Sequence, residues 1–115
     1  MPLTENDRLA IRSVIEQQII AFQQEDAKVA FSFASLGIKY KFKTADDFMK
    51  MVKSSYPAVY CPRSVLFDEL MMIEGQPAQM VWLLNTLGNL IKAIYLMEKQ
   101  PDGSWKIDGC FLVDK

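Results

Sequence analysis

Both faces of the strand-like segments in the second half of the chain are apolar, and this restricts the possible folds more than any other feature. Val65–Ile73, Ala78–Asn85, Leu90–Lys99 and Trp105–Val113 are apolar runs of the kind that form strands. They are separated by Glu74-Gly75, by Thr86-Leu87-Gly88 and by Gln100-Pro101-Asp102-Gly103-Ser104. Glycine-bearing and Pro-Asp-Gly breaks between such runs are hairpin chemistry, and consecutive hairpins make an antiparallel meander. Side chains alternate along a strand. In the third run, Leu90, Ile94 and Leu96 therefore oppose Ile91, Ala93, Tyr95 and Met97; in the second, Met80, Trp82 and Leu84 oppose Val81 and Leu83. A half-exposed sheet has one polar face, and this one has none. Helices can cover one side. A second copy of the chain is expected to cover the other, unless the sheet curls and its loops cover it.

The first half supplies the helices. Thr4 and Asp7 make a capping-box start. Ile11, Val14, Ile15, Ile19 and Phe22 then recur at helical spacing, which predicts an amphipathic helix ending near Gln24-Glu25. Asp26 can cap a second helix, with Ala27, Ala30, Phe31, Phe33 and Ala34 as its packed face and Gly37 as its stop. Ile38, Tyr40 and Phe42 alternate with Lys39, Lys41 and Lys43, and period two predicts a short extra strand over 38–43. Thr44 and Asp47 form a second capping box before a helix carrying Phe48, Met51 and Val52. Tyr56 to Pro62 reads as a rigid connector, with both proline isomers open. The expected architecture is α+β: three helices on a curved four-stranded antiparallel meander, all within one domain over residues 1–115.

Several functions are disfavoured at this level. The formal net charge of the 115 residues is −1, without the basic excess of a nucleic-acid binder. No apolar run approaches a membrane span. The acidic N-terminus has no apolar signal-peptide core, so the expected compartment is the cytoplasm. There is no histidine, and the two cysteines, Cys61 and Cys110, lack metal-ligand spacing. No metal or cofactor is expected, and no histidine-activated nucleophile is available. Both cysteines read as free, partly buried thiols.

The element order resembles that of the nuclear-transport-factor-2-like superfamily, cone-shaped domains in which a curved sheet wraps a helix. Ile11-Arg12-Ser13-Val14-Ile15-Glu16-Gln17-Gln18, Phe31-Ser32-Phe33-Ala34-Ser35, Phe48-Met49-Lys50-Met51-Val52, Tyr56-Pro57-Ala58-Val59-Tyr60 and Gln100-Pro101-Asp102-Gly103-Ser104-Trp105-Lys106-Ile107-Asp108-Gly109-Cys110 resemble, more narrowly, a bacterial family of domains of unknown function, numbered 4864. The resemblance implies the fold and no activity. Enzymes elsewhere in the superfamily work inside the open end of the cone.

The catalytic candidates on strands are Asp108 and Asp68. Pointing inward, Asp108 would have a raised pKa and serve as acid or base with a tyrosine. Period two instead puts it outward beside Lys106, as an exposed charge, although a bulge at Gly109 would reverse that. Tyr56, Tyr60 and Arg63 are the binding candidates, able to clamp a carboxylate ligand or to form a packed corner. Cys110 has no cationic neighbour in sequence to activate it beyond Lys106. Lys39, Lys41, Lys43, Lys50 and Lys53 would suit either an acidic partner or an edge guarded against aggregation. The preferred expectation is a non-catalytic homodimer that binds a small ligand in its cavity. An isomerase- or dehydratase-type enzyme and a protein-interaction domain are the alternatives.

Overall fold

The structure, a computed structural model, describes residues 3–113. Five helices precede four strands: α1 (Glu5–Gln23), α2 (Ala27–Ser32), α3 (Leu36–Phe42), α4 (Ala45–Ser55), α5 (Pro57–Tyr60), β1 (Ser64–Ile73), β2 (Gln76–Leu84), β3 (Leu90–Lys99) and β4 (Trp105–Val113). The strands form one antiparallel sheet in the order β1-β2-β3-β4. The molecule is α+β, with helices packed on one face of an open sheet.

Helix α1 forms where its periodicity says it should. Thr4 Oγ1 accepts from Asp7 N at 3.0 Å, and Asp7 Oδ2 accepts from Thr4 N at 3.0 Å, a complete capping box. The Thr4 amide hydrogen bond holds the Asp7 carboxyl below its ordinary 3.8. A depressed carboxylate pKa adds stability that is present above the ordinary value and is lost as pH falls through the folded one. Asp7→Asn is therefore expected to loosen the first turn at neutral pH and to remove its acid sensitivity below about pH 3.8, read from amide exchange of Glu5 to Leu9. Ile11, Ile15, Ile19 and Phe22 are buried against the sheet.

The hairpins also follow the sequence. Glu74 and Gly75 both have positive φ, +50° and +82°, as a two-residue type I′ turn requires. Asp102 Oδ1 accepts from Ser104 N at 2.9 Å, which ties the Pro-Asp-Gly turn.

Several expectations in the middle of the chain are corrected. Helix α2 ends at Ser32, earlier than its apolar face implied, and Gly37 lies inside a further helix instead of ending α2. Residues 38–43 are not a strand: 38–42 belong to α3 and Lys43 is its C-cap, and the helix is capped at its start by Ser35, whose Oγ accepts from Ile38 N at 3.4 Å. Ile38 and Phe42 are four residues apart, so one helical face can pack inward, while Tyr40 between them is 81% exposed. The free edge of β4 is taken instead by Ala34: Ser35 N donates to Ile107 O at 2.9 Å, and Ile107 N donates to Phe33 O at 2.8 Å. The Tyr-Pro connector holds a one-turn helix, α5, with Pro57 at its first position, where its missing N–H is harmless. At α4 only half of the second capping box forms. Thr44 Oγ1 accepts from Asp47 N, but Thr44 N is already donated to Phe42 O at 2.7 Å.

The inner face of the sheet carries Val81, Leu83, Ala93, Tyr95 and Met97, all buried. On the outer face, cross-strand rows run Leu66–Trp82–Lys92–Val113 and Met80–Ile94–Phe111. Leu66, Leu90 and Phe111 are 66, 61 and 55% exposed. The helices cover only the inner face. No helix among the described residues is long and apolar enough to cross a membrane.

Candidate functional site

An apolar cavity of about 460 Å³ lies between the helices and the β3–β4 half of the sheet. Phe22 from α1, Phe42 from α3 and Phe48 and Val52 from α4 form its helical wall; Tyr95, Ile107 and Cys110 form its sheet wall. The rings converge on Phe48, with Phe31, Phe42 and Phe22 at centroid distances of 5.2, 5.8 and 6.0 Å. Lys41 and Ser55, both exposed, mark the polar rim.

A bulge sets the sheet wall. β3 pairs Met97 with Ile107 and Leu96 with Gly109, which leaves Asp108 as the extra residue. The inserted residue reverses the alternation. Trp105 and Ile107 are buried before it, and Cys110 and Leu112 pack on the core after it. Asp108, half-buried at the bulge itself, lines the cavity where it meets the β4 edge. Its two oxygens are both occupied: Oδ1 accepts from Ser35 Oγ at 2.7 Å and Oδ2 from Gln76 Nε2 at 3.0 Å. Ser35 is fully buried. The arrangement ties the α2–α3 loop to the sheet.

The other candidates are dispersed. Asp68 belongs to a second bulge, between Phe67 and Leu70. It is exposed away from the cavity and accepts from Trp82 Nε1 at 3.0 Å. Gln79, buried on the inner face, closes that bulge by donating to Asp68 O and Met80 O, each at 2.9 Å. Tyr56 lines the cavity and donates its hydroxyl to Cys110 O at 3.0 Å. Tyr60 packs on Phe22 at 6.3 Å, beneath Lys53, which pairs with Glu25 at 2.8 Å. Arg63 opens onto a separate groove along α1. Tyr56, Tyr60 and Arg63 therefore do not meet in one pocket.

The cysteines differ in state. Both are free, but Cys61 is exposed, which corrects its reading as partly buried: it follows α5 at a corner that no element covers. Burial pushes the Cys110 thiol up to about 12, while the neighbouring Tyr95 hydroxyl acts weakly in the opposite sense. Since the thiolate is the nucleophile, iodoacetamide at pH 8 is expected to label Cys61 within minutes and to leave Cys110 unmodified until the protein unfolds. Mass spectrometry of the native and urea-treated protein checks this.

Tyr95 was not among the binding candidates read from the sequence. It is 1% exposed, and its hydroxyl has no hydrogen-bond partner among the described residues. Burial, and then the Cys110 thiol, hold its phenol well above the ordinary 10.0, so it stays protonated at any physiological pH. Gln18, also buried, lines the same cavity and donates its amide to Ala30 O at 3.1 Å. Its position in the stripe between Ile15 and Phe22 was a legible signal, since a polar residue there has to find a buried partner. Nothing in the sequence pointed to Gln76 as a partner of Asp108. Among the described residues no three His, Cys, Asp or Glu side chains are grouped to hold a metal ion.

No curated protein and no solved structure matches the chain. One family model does, over residues 4–115, nearly the whole length. The chain belongs to the family described as Domain of unknown function (DUF4864).

Proposed function

We propose that this domain is a non-catalytic binding module that takes a small apolar ligand into the cavity between its helices and its sheet, within a nuclear-transport-factor-2-like cone. The observation that carries the reading is a 460 Å³ space lined by aromatic and aliphatic side chains with a few polar groups. Ligand pockets have that size and composition. The long α1 lying across the inner sheet face supports the cone. The non-catalytic reading is supported by a Cys110 thiol that burial keeps protonated and by Asp108, whose carboxylate oxygens are both already hydrogen-bonded. An isomerase-type mechanism would need one of these groups free, and Asp68 stands clear of the cavity.

A fluorescent apolar probe, N-phenyl-1-naphthylamine, is expected to bind at micromolar concentration with enhanced emission. Met51→Trp, which adds bulk at a half-buried position on the cavity wall, is expected to reduce that binding at least tenfold. Wild-type protein that gives no enhancement, with its fold intact by circular dichroism, would sink the reading.

A second copy of the chain is the proposed occupant of the outer sheet face. Four strands of nine or ten residues span roughly 30 by 20 Å, on the order of 600 Å². That approaches the ~800 Å² per partner of a stable interface. Of the polar groups there, Asp68 and Lys92 flank Trp82 and already contact its indole, and Glu98 and Lys106 stand opposite each other at the far end of β3 and β4. The centre of the face therefore remains apolar and self-complementary, as a two-fold interface requires.

A further inference from the structure

The cavity wall holds few polar side chains, and those facing inward are mostly engaged with the protein itself. Tyr56 donates its hydroxyl to Cys110 O at 3.0 Å, and Asp108 accepts from Ser35 at one oxygen and from Gln76 at the other. The Tyr95 hydroxyl is sealed beneath the surface. Lys41 and Ser55 stand at the rim, in water. Gln18 differs from all of these. It is 3% exposed, and it forms part of the cavity wall. Its Nε2 donates to Ala30 O at 3.1 Å, which fixes the nitrogen end of the amide and turns the oxygen away from α2. Gln18 Oε1 accepts from no group of the described residues, and it is not sealed off as the Tyr95 hydroxyl is. Buried polar atoms are normally paired. Here the partner has to be a donor, and the cavity is the side from which one can come.

Resting on the cavity reading above, we infer that the ligand is a neutral, largely apolar alcohol or phenol whose hydroxyl donates to Gln18 Oε1 at the α1 wall. A hydroxyl donates and accepts, so its oxygen can also take the second N–H of the same amide. An ether, a ketone or an ionised carboxylate brings no proton to the amide oxygen. An ammonium brings protons, but its charge would be buried against a neutral amide beside Phe22, which is costly. The one carboxylate of the lining, Asp108, is already committed to Ser35 and Gln76. The aromatic cluster around Phe48 favours a flat hydrocarbon body.

Three probes on one ring system separate these terms: 2-naphthol, its methyl ether 2-methoxynaphthalene, and 2-naphthylmethylamine, which is a cation at neutral pH. Calorimetric titration of the wild-type chain at neutral pH is expected to rank the naphthol about tenfold tighter than the ether, with the amine weakest. Gln18→Met keeps the length of the side chain and removes its amide. It is expected to erase the naphthol's advantage and to leave the ether's affinity within about twofold of the parent. Its melting temperature is expected to fall, because Ala30 O loses a donor. If the wild type binds none of the three probes, the cavity reading itself fails. If it binds naphthol and ether equally, or the amine most tightly, the hydroxyl assignment is overturned while the cavity reading stands. A Gln18→Met protein that keeps the naphthol preference overturns it as well, since the acceptor then lies elsewhere. Should that variant fail to fold, the wild-type ranking of the probes decides alone.

Discussion

Ile15→Ala is expected to cost about 3 kcal/mol of stability and to lower the melting temperature by roughly 10 °C. Ile15 has no exposed surface and sits in the buried stripe of α1 with Ile11, Ile19 and Phe22. Removing three carbons there leaves a void between the long helix and the inner sheet face. Close-packed interiors relax only partly around such voids, so the lost contacts add to the lost transfer energy. Ile20, on the same helix but 49% exposed, provides the control. The same truncation at Ile20 should cost under about 1 kcal/mol, because most of its side chain is already in water. Urea titration of both variants, read by far-ultraviolet circular dichroism, gives the comparison. Equal losses at the two positions would mean that α1 does not lie on the sheet by the face described here.

Leu66→Glu is expected to convert a dimer into a monomer without disturbing the fold. The wild type should elute with a light-scattering mass near twice the 13.2 kDa of one chain at tens of micromolar. Leu66 lies at the β1 end of the Leu66–Trp82–Lys92–Val113 row and is 66% exposed in the single chain. A glutamate at that position meets only water in the monomer. In a two-fold interface it would bury two carboxylates without partners, which should weaken association on the order of a hundredfold or more. A wild type that is monomeric at those concentrations, or a Leu66→Glu protein that remains dimeric, removes the sheet face as the interface.

The parts of the fold that were legible beforehand share one physical property: each depends on residues near one another in sequence. The Thr4–Asp7 box, the apolar stripe of α1 and the Glu74-Gly75 and Pro101-Asp102-Gly103 turns are local chemistry, and each forms where it was expected. The alternation of Ile38, Tyr40 and Phe42 was local too, but it misled. The same three residues satisfy a strand with one apolar face and a helix with a 38/42 pair. The choice was made elsewhere, by Ala34 occupying the β4 edge at Ile107 and by Ser35 capping the segment as a helix.

The cavity was less legible than the fold. Asp108 and Cys110 were recognised as candidates, yet their orientation depended on one unpaired residue in the β3–β4 register. Tyr56 was expected to stand with Tyr60 and Arg63, but α5 turns the chain between them, so that Tyr56 faces the cavity and Arg63 a different groove. Tyr95 was assigned correctly to the face with Ala93 and Met97, but its missing hydrogen-bond partner is a property of everything around it. By itself, then, the sequence determined the long first helix, the hairpins and which strand faces are apolar, because those follow from neighbours a few bonds apart. Where the bulges fall, which edge Ala34 takes and which buried polar atom is left without a partner were decided only in the tertiary structure. They depend on contacts between residues as distant along the chain as Ser35 and Asp108, whose meeting no local pattern encodes.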